Sequence, residues 1–568
     1  MADRVSDLFQ EFEELKQARK PFEDVWHEIA ELVVPNHSGF QQPPNPAERG
    51  RRRGEEIYDG TPQAALNMWA SGTMGHLLSP NFDWFTLTVP DEQLMDVREI
   101  RLWLSRVDRV LYGMITRSNF YREVYELFRD GAGIGTATMH RYWDQGTQRE
   151  QFMVLHPREI YVGEDANGDV DTVFRYTQMT NKQIVERFSQ DDDTVDAQVV
   201  KDATGPTMRH RKRNIVHAVR PNPDHDPTKA DKRAKKYISV YIDEEHHSEL
   251  RRGGFDVLPY MVWRVLKESD EEYGRGPAWE ALGDIRALYE YSRTDIEEAQ
   301  MRVNRPLQVP EELRGKVAWV PGGRNYYEDA NRLIMEADVK SDLRAGLDRE
   351  ERKQKIIERA FLVDFFTMFA QADKAMTATE IRQRREEKSV LLGPHNTSLN
   401  SDVLDMLIDG LFNDAWNAGL LPPPPRLLVE SLAGRRLEVS YQGPLVQAQR
   451  SFFQGEPYRQ ALGQWAGLAQ VLTGAGKPAD FLDNYDMDFV TREMFKSGGG
   501  VEEAMLDPKL VAQLRQQRAE MLQRQQQLAA MEQMGKAAPG LNQPVAEDSM
   551  LEQLQTAQQA QQAGAPPG

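Results

Sequence analysis

The hydrophobic period of this chain changes twice, and that limits the folds open to it. Leu8, Phe9, Phe12, Leu15, Phe22, Val25, Trp26, Ile29 and Val33 recur at gaps of three and four, which predicts an amphipathic helix over residues 3–33. Pro21 predicts a kink or break within it, because proline lacks a donor and clashes with the preceding turn. From Thr136 the pattern shortens to β-branched and aromatic runs at 136–142, 151–155, 160–162, 170–176, 214–220, 236–242 and 260–266. Asn167-Gly168 supplies a hairpin turn between two of them. After 266, helix-period stretches return. The expectation is an α+β fold, mainly α, with a β-rich block inside it.

Turn and cap signals divide the helical parts. Thr61-Pro62 reads as an N-cap followed by proline at the first helical position, opening a helix to about Leu78. A short strand at 84–89 and helices at 91–117 and 119–130 follow. Helix 277–303 starts at Pro277 and ends before Arg305-Pro306. Residues 306–345 are mixed. Helix 346–370 is expected to run roughly 37 Å. Residues 378–421 read as a third long helix with a kink or break at Gly393-Pro394, stopped by Pro422–Pro425. Leu437–Tyr441 is strand-like and 446–475 helical. Residues 511–568 hold 15 glutamines and no aromatic residue. Leu514, Met521 and Leu528, seven apart, form a narrow helix-association seam. Helix is expected to about 534, then a flexible tail.

The 568 residues include no cysteine, which excludes disulfides, thiolate zinc sites and cysteine nucleophiles. No stretch approaches the roughly 20 apolar residues of a bilayer span, and the charged N-terminus has no export-signal pattern. The formal charge is −19, from 70 Lys+Arg against 89 Asp+Glu. A surface that grips a phosphate backbone is usually basic, so tight DNA binding over most of this surface is not expected. DNA handled without being gripped is compatible with such a charge.

Catalytic signatures fail one by one. Gly131, Gly133 and Gly135 have GxGxG rather than GxGxxG spacing after a predicted helix, which favours a helix-to-strand turn over a dinucleotide loop. Gly476-Lys477 precedes proline, so a P-loop is missing. There is no HExxH and no GxSxG. His246-His247 reads as a solvated hairpin tip. No catalytic residue, metal ligand or cofactor is expected.

Three blocks carry a resemblance. Tyr273-Gly-Arg-Gly-Pro-Ala-Trp279 followed by EALGDIRALYEY, Ala375-Met-Thr-Ala-Thr-Glu-Ile381 followed by RQRREEKSVLLGP, and Tyr441-Gln-Gly-Pro-Leu-Val-Gln-Ala-Gln449 resemble the head-to-tail connector (portal) proteins of short-tailed bacteriophages. The N-terminal helix and the Gln/Ala/Gly-rich tail are similar as well, so the likeness spans nearly the whole chain.

The resemblance implies a homo-oligomeric ring of twelve subunits at one capsid vertex, through which double-stranded DNA is packaged and ejected. The implied partners are the terminase large subunit as motor, then tail adaptor and nozzle proteins. Major capsid, scaffolding and internal core proteins are implied neighbours. The protein would be a virion component assembled in the host bacterial cytoplasm, without membrane insertion. It also implies a layout: an N-terminal helical part of the wing at 1–83, a β-rich wing at 84–266 and stem helices at 267–305 and 346–370. The clip would be 306–345, a tunnel loop 371–377, a long kinked helix and return to the wing 378–445, a helical crown 446–535 and a tail 536–568. Within that layout Gln371, Asp373, Lys374 and Met376 would sit in the tunnel loop, or in a plain inter-helix turn. Arg314, Lys316 and Arg324 would contact terminase or adaptor, or be ordinary surface charge. Glu280, Asp284, Glu290 and Glu297 would line the channel, or a solvated helix face. The alternative is another virion structural protein, an internal core or scaffold component without a channel.

Overall fold

The computed structural model describes residues 2–35, 40, 57–95, 97–144, 146–147, 149–189, 195–226, 228–229, 231–303, 307–308, 335–336, 343–367, 393–432, 436–441, 456–474, 484, 486–497, 505–506 and 508–536. Residues Gln371, Asp373, Lys374, Met376, Arg314, Lys316 and Arg324 lie outside them, as do the expected loop 41–53, helix start 378–392 and tail 537–568. The chain divides into two units, Met1–Gly498 and Gly499–Gly568.

Helix dominates and every strand pairing is antiparallel. The N-terminal helix is continuous over Ala2–Leu32 with Pro21 inside it, so the expected break does not occur. Buried contacts on both sides of Pro21 hold the helix: Leu8 and Phe12 before it, Phe22, Trp26 and Ile29 after it. Each such side chain contributes about 1.5–3 kcal/mol of burial, comparable to the roughly 3 kcal/mol that an interior proline costs. Helix Thr61–Leu77 is capped one residue earlier than expected. The Thr61 amide donates to Asp59 Oδ1 at 2.7 Å, and Gly60 occupies the cap position.

Strand β1 (Phe85–Thr88) and helices Arg98–Arg117 and Phe120–Ile134 follow. The β-rich block then contains β2 (Thr136–Asp144), β3 (Arg149–Leu155), β4 (Ile160–Glu164), β5 (Val170–Thr180), β6 (Lys212–Pro221), β7 (Tyr237–Asp243), β8 (Ser248–Phe255) and β9 (Tyr260–Arg264). Strands β4 to β8 form a five-stranded meander, and β3-β2-β9 a separate three-stranded sheet. The Asn167-Gly168 turn joins β4 to β5 as expected, with Gly168 at φ 85°. Strand β8 and helix Ala197–Thr204 were not legible in the sequence. His246 and His247 sit between β7 and β8. Both are exposed in that hairpin turn, as expected, and His246 Nδ1 also lies 2.9 Å from an Arg213 guanidinium nitrogen and 3.2 Å from Asp243 Oδ2.

Helix Leu282–Val303 follows a short turn at Pro277–Glu280. Strands β10 (Leu307–Gln308) and β11 (Met335–Glu336) pair with each other. Helix Leu343–Ala360 stops 10 residues before the expected end at 370. Leu362 takes φ 54° and a new helix starts at Val363. The apolar run there buries Phe361, Phe365 and Phe366. Helix Gly393–Leu399 passes through a π turn at Asn400–Leu404 into Asp405–Asn417. The approach to Gly393-Pro394 from 378–392 lies outside the described residues. Helix Arg426–Leu432 precedes β12 (Glu438–Tyr441), which pairs with β1. Helices Glu456–Gly474 and Met487–Ser497 complete the described part of the first unit.

The main core gathers Trp26, Trp69, Trp84, Phe128 and Trp263. A second, smaller core seats Val5, Leu8 and Phe12 on Tyr161, Phe174, Val216 and Val240 of the meander. Arg19 is buried beside it. Its guanidinium donates to the carbonyls of Arg158 and Ile160, both at 2.8 Å, and to Glu23. It stacks 3.7 Å over Tyr161. In the second unit, helix Pro508–Lys536 exposes Leu514, Met521 and Leu528.

Candidate functional site

The first resembling block is where the longest mid-chain helix is fixed to the body. Gly135 ends helix Phe120–Ile134 at φ 95°, a left-handed conformation open to glycine at little cost. The turn this produces leads straight into β2, as the spacing predicts. Gly274 lies against it: its amide donates to Thr136 Oγ1 at 2.8 Å, and a Cβ there would meet Gly135 O at 2.8 Å. A Cβ on Gly276 would meet the carbonyls of Gly131 and Ala132, the latter at 2.7 Å. Two backbone segments therefore touch without side chains between them. Tyr273 is fully buried and its hydroxyl accepts from the Val162 amide at 3.3 Å. Burial pushes that phenol well above its ordinary pKa. Pro277 then occupies the first helical turn, where its fixed φ suits helix entry.

The helices Leu282–Val303 and Leu343–Ala360 lie antiparallel. Lys353 donates to Asp284 at 2.5 Å, Arg349 stacks 5.4 Å over Tyr291, and Gly346 lies against the Asp295 carboxylate. Complementary charge aligns them. Residues 277–303 carry six acids against three arginines, whereas 343–360 carry six basic residues against four acids. Anchors to the body come from the Arg286–Glu28 ion pair, from Gln354 Nε2 donating to Asp59 Oδ2 at 2.7 Å, and from Tyr289 against Tyr58.

Burial fades along the pair. Leu282, Ile285, Leu288 and Ser292 are buried, and no residue from Arg293 to Val303 is. Apolar side chains nevertheless continue: Ile296 is 40% exposed, Met301 48%, Val303 82% and, on the partner helix, Leu347 52%. Ile296 and Val303, seven residues apart, lie on one face of the first helix.

The four acids expected on the first helix have separate fates. Asp284 faces the partner helix, and its hydrogen bond raises the Lys353 ammonium above its usual pKa. Glu297 pairs with Arg293 at 3.2 Å. Glu280 and Glu290 are exposed. Glu290 and Glu297, seven residues apart, share one helix face. The joint of Gly131, Gly135, Gly274 and Gly276 was not foreseen as a unit. The sequence shows the glycines in two separate motifs but not that they meet.

Among the described residues no three or more His, Asp or Glu side chains form a group that could hold a metal. No described helix is long and apolar enough to cross a membrane. The fold and this site define a structural subunit class: a packed body to which a charged helix pair with uncovered apolar side chains is fixed through a glycine joint.

Comparison with known proteins narrows the class. Residues 5–506 match the family described as bacteriophage head to tail connecting protein. The chain is 30% identical over 540 residues to the probable portal protein of Bordetella phage BPP-1, covering 93% of each. It is 27% identical over 546 residues to the portal protein of Salmonella phage epsilon15, covering 94% of this chain and 93% of that relative. Against the portal protein of Enterobacteria phage T3 it is 22% identical over 439 residues, 72% of this chain and 73% of that one. The chain belongs to the bacteriophage head-to-tail connecting family, and its function is the phage portal function. A head-to-tail connector is a component of the virion.

Proposed function

We infer that identical copies of this chain close into a twelvefold ring at one capsid vertex and pass double-stranded DNA through its centre. The observation that carries this reading is the helix pair. Ile296, Met301, Val303 and Leu347 are uncovered on a pair whose two helices are joined by the Lys353–Asp284 ion pair. A ring needs one surface complementary to a different surface of the next copy, and these side chains supply an apolar one. In this reading the pair is the stem, 84–266 the wing, 306–345 the clip and 446–535 the crown. Glu280, Glu290 and Glu297 face the bore, while Asp284 works inside the subunit. An acidic bore avoids a deep electrostatic well for a duplex carrying one charge per about 1.7 Å.

Arg314, Lys316 and Arg324 contact the terminase large subunit, which supplies the energy, and afterwards the tail adaptor and nozzle proteins. Major capsid, scaffolding and internal core proteins surround the wing and crown, and assembly takes place in the host cytoplasm. Gln371, Asp373, Lys374 and Met376 form a loop reaching the duplex. Deleting 371–376 is expected to spare the ring and reduce packaged or retained DNA. The chain performs no catalysis of its own. Native mass spectrometry with class averages tests the ring: twelve chains of 65.1 kDa weigh about 781 kDa. A closed assembly without a central opening would overturn the reading and favour a core or scaffold component.

A further inference from the structure

The chain carries a formal charge of −19, yet Arg209, His210, Arg211, Lys212 and Arg213 fill five of the six positions from 208 to 213. The first four are exposed and Arg213 is buried. This run joins helix Ala197–Thr204 to β6, and its backbone is held. Asn181, fully buried, donates its amide to Arg211 O at 3.0 Å and Nδ2 to Met208 O at 2.9 Å. The Lys182 amide donates to Arg209 O at 3.2 Å. Arg213 turns inward as the anchor: Nε donates to Asn181 Oδ1 at 2.8 Å, and the guanidinium meets Asp243, Glu245 and Asp202. The clamp therefore presents a fixed turn of outward cations.

These cations are available. Among the described residues, Arg209 and Lys212 have no carboxylate within ion-pair distance. Arg211 pairs with Glu245 at 2.8 Å, with both side chains nearly half exposed, a bridge of small worth that a competing anion can displace. The neighbouring cavity of about 570 Å³ mixes Lys16, Lys20 and Arg158 with Glu13, Glu23 and Glu159, so the preference for anions belongs to the run itself. A protein partner would call for a buried aromatic or aliphatic anchor, and Met208 is the one large apolar side chain exposed within the run. A phosphate backbone needs only the charges, and arginine heads suit phosphate geometry.

We propose that the Met208–Lys212 turn is a second DNA-contacting surface, outside the channel, that grips backbone phosphates of duplex DNA without reading sequence. It rests on the reading that this protein works on double-stranded DNA. It differs in kind from the acidic helix pair, being suited to holding a duplex rather than letting it slide. The turn belongs to the five-stranded sheet, and its own small core of Ile184, Phe188, Val199, Ile215 and Leu250 is separate from the main one.

A covalently closed circular duplex separates the two surfaces, because it cannot thread a closed ring. Binding of such a circle to the full-length protein is measured against salt, beside a linear duplex. Arg209→Ala/Arg211→Ala/Lys212→Ala removes three phosphate contacts and lowers the log–log salt slope by about 2.7. From about 50 to about 200 mM salt, wild-type binding then falls about 40-fold more than the variant's. Arg209→Lys/Arg211→Lys retains the slope, and an unchanged melting curve shows the variants folded. No circle binding by the wild type, or an equal slope in the triple variant, overturns the proposal. So does selective capture of a polyglutamate peptide without the circle, which would assign the turn to an acidic protein. Loss of linear but not circular binding in a channel variant would leave this proposal standing and speak to the channel alone.

Discussion

The glycine joint and the helix pair that leaves it are built by opposite means. At Gly274 and Gly276 backbone touches backbone, surrounded by Tyr273, Trp26 and Phe22 with ring centroids 5.1 to 6.0 Å apart. Everything that region needs is supplied by one chain. Along Leu282–Val303 and Leu343–Ala360 the contacts between the helices include the Lys353–Asp284 ion pair and a cation over Tyr291, while Ile296, Val303 and Leu347 stay uncovered. The joint is closed within one subunit, and in the proposed ring the helix pair is closed by the neighbouring copy. In that reading intrasubunit stability and assembly reside in different residues, and substitutions should separate them.

The largest effect is expected at the joint. Gly276→Ala drives a methyl into two carbonyls that no side-chain movement can clear. Overpacking against backbone should cost about 3 kcal/mol or more, read as a lower melting temperature of the full chain. An unchanged melt would break the contrast at its stronger end.

The second effect separates core from pair by pH. Asp108 is buried on helix Arg98–Arg117, accepts from the Leu87 amide at 3.1 Å, and is pushed by burial from 3.8 to about 7. Because the folded value lies above the unfolded one, its contribution is full at low pH. It is lost as pH rises from about 4 to about 7. Asp108→Asn should therefore flatten the stability–pH slope in that window by up to about 1.4 kcal/mol per unit, measured by denaturant titration at several pH values. Identical slopes would contradict the buried neutral carboxyl.

The pair should respond weakly by the same measurements. Lys353→Ala removes a partly exposed ion pair and should cost less than about 1 kcal/mol, shrinking further in salt. A loss of several kcal/mol would mean the pair is as tightly determined as the joint. The smallest change in fold stability is expected from Ile296→Ser with Leu347→Ser, within about 0.5 kcal/mol for the single subunit. The same double substitution should abolish the large assembly in native mass spectrometry, which sharpens the comparison from the other side.

Much of the local structure was legible because it depends on local chemistry. Asn167-Gly168 makes its turn, Gly135 makes the helix-to-strand turn, and Pro277 starts its helix. The failures were tertiary. Pro21 stays inside a helix because buried residues on both sides hold it. The helix ends and restarts at Leu362, where Phe361, Phe365 and Phe366 are buried in the core. Strand β8 escaped notice because Arg251-Arg252-Gly253-Gly254 has little strand propensity and is held by pairing with β7. At the candidate site the acids could be read but not their partners. Asp284 looks no different in sequence from Glu290, yet it bonds the facing helix. The block Tyr273–Trp279 was recognisable by resemblance, whereas its physical cause, close approach to Gly131–Gly135, requires the fold.

The central claim is that the uncovered side chains of the helix pair form the contact between neighbouring copies. A chain without cysteine allows a direct test with the single variants Ile296→Cys, Leu347→Cys and Glu290→Cys, labelled by a maleimide in the assembled particle and after dissociation. The first two should be protected in the assembly and react on dissociation, while Glu290→Cys reacts in both states through the open bore. Equal labelling of Ile296→Cys and Leu347→Cys in the two states would contradict the claim.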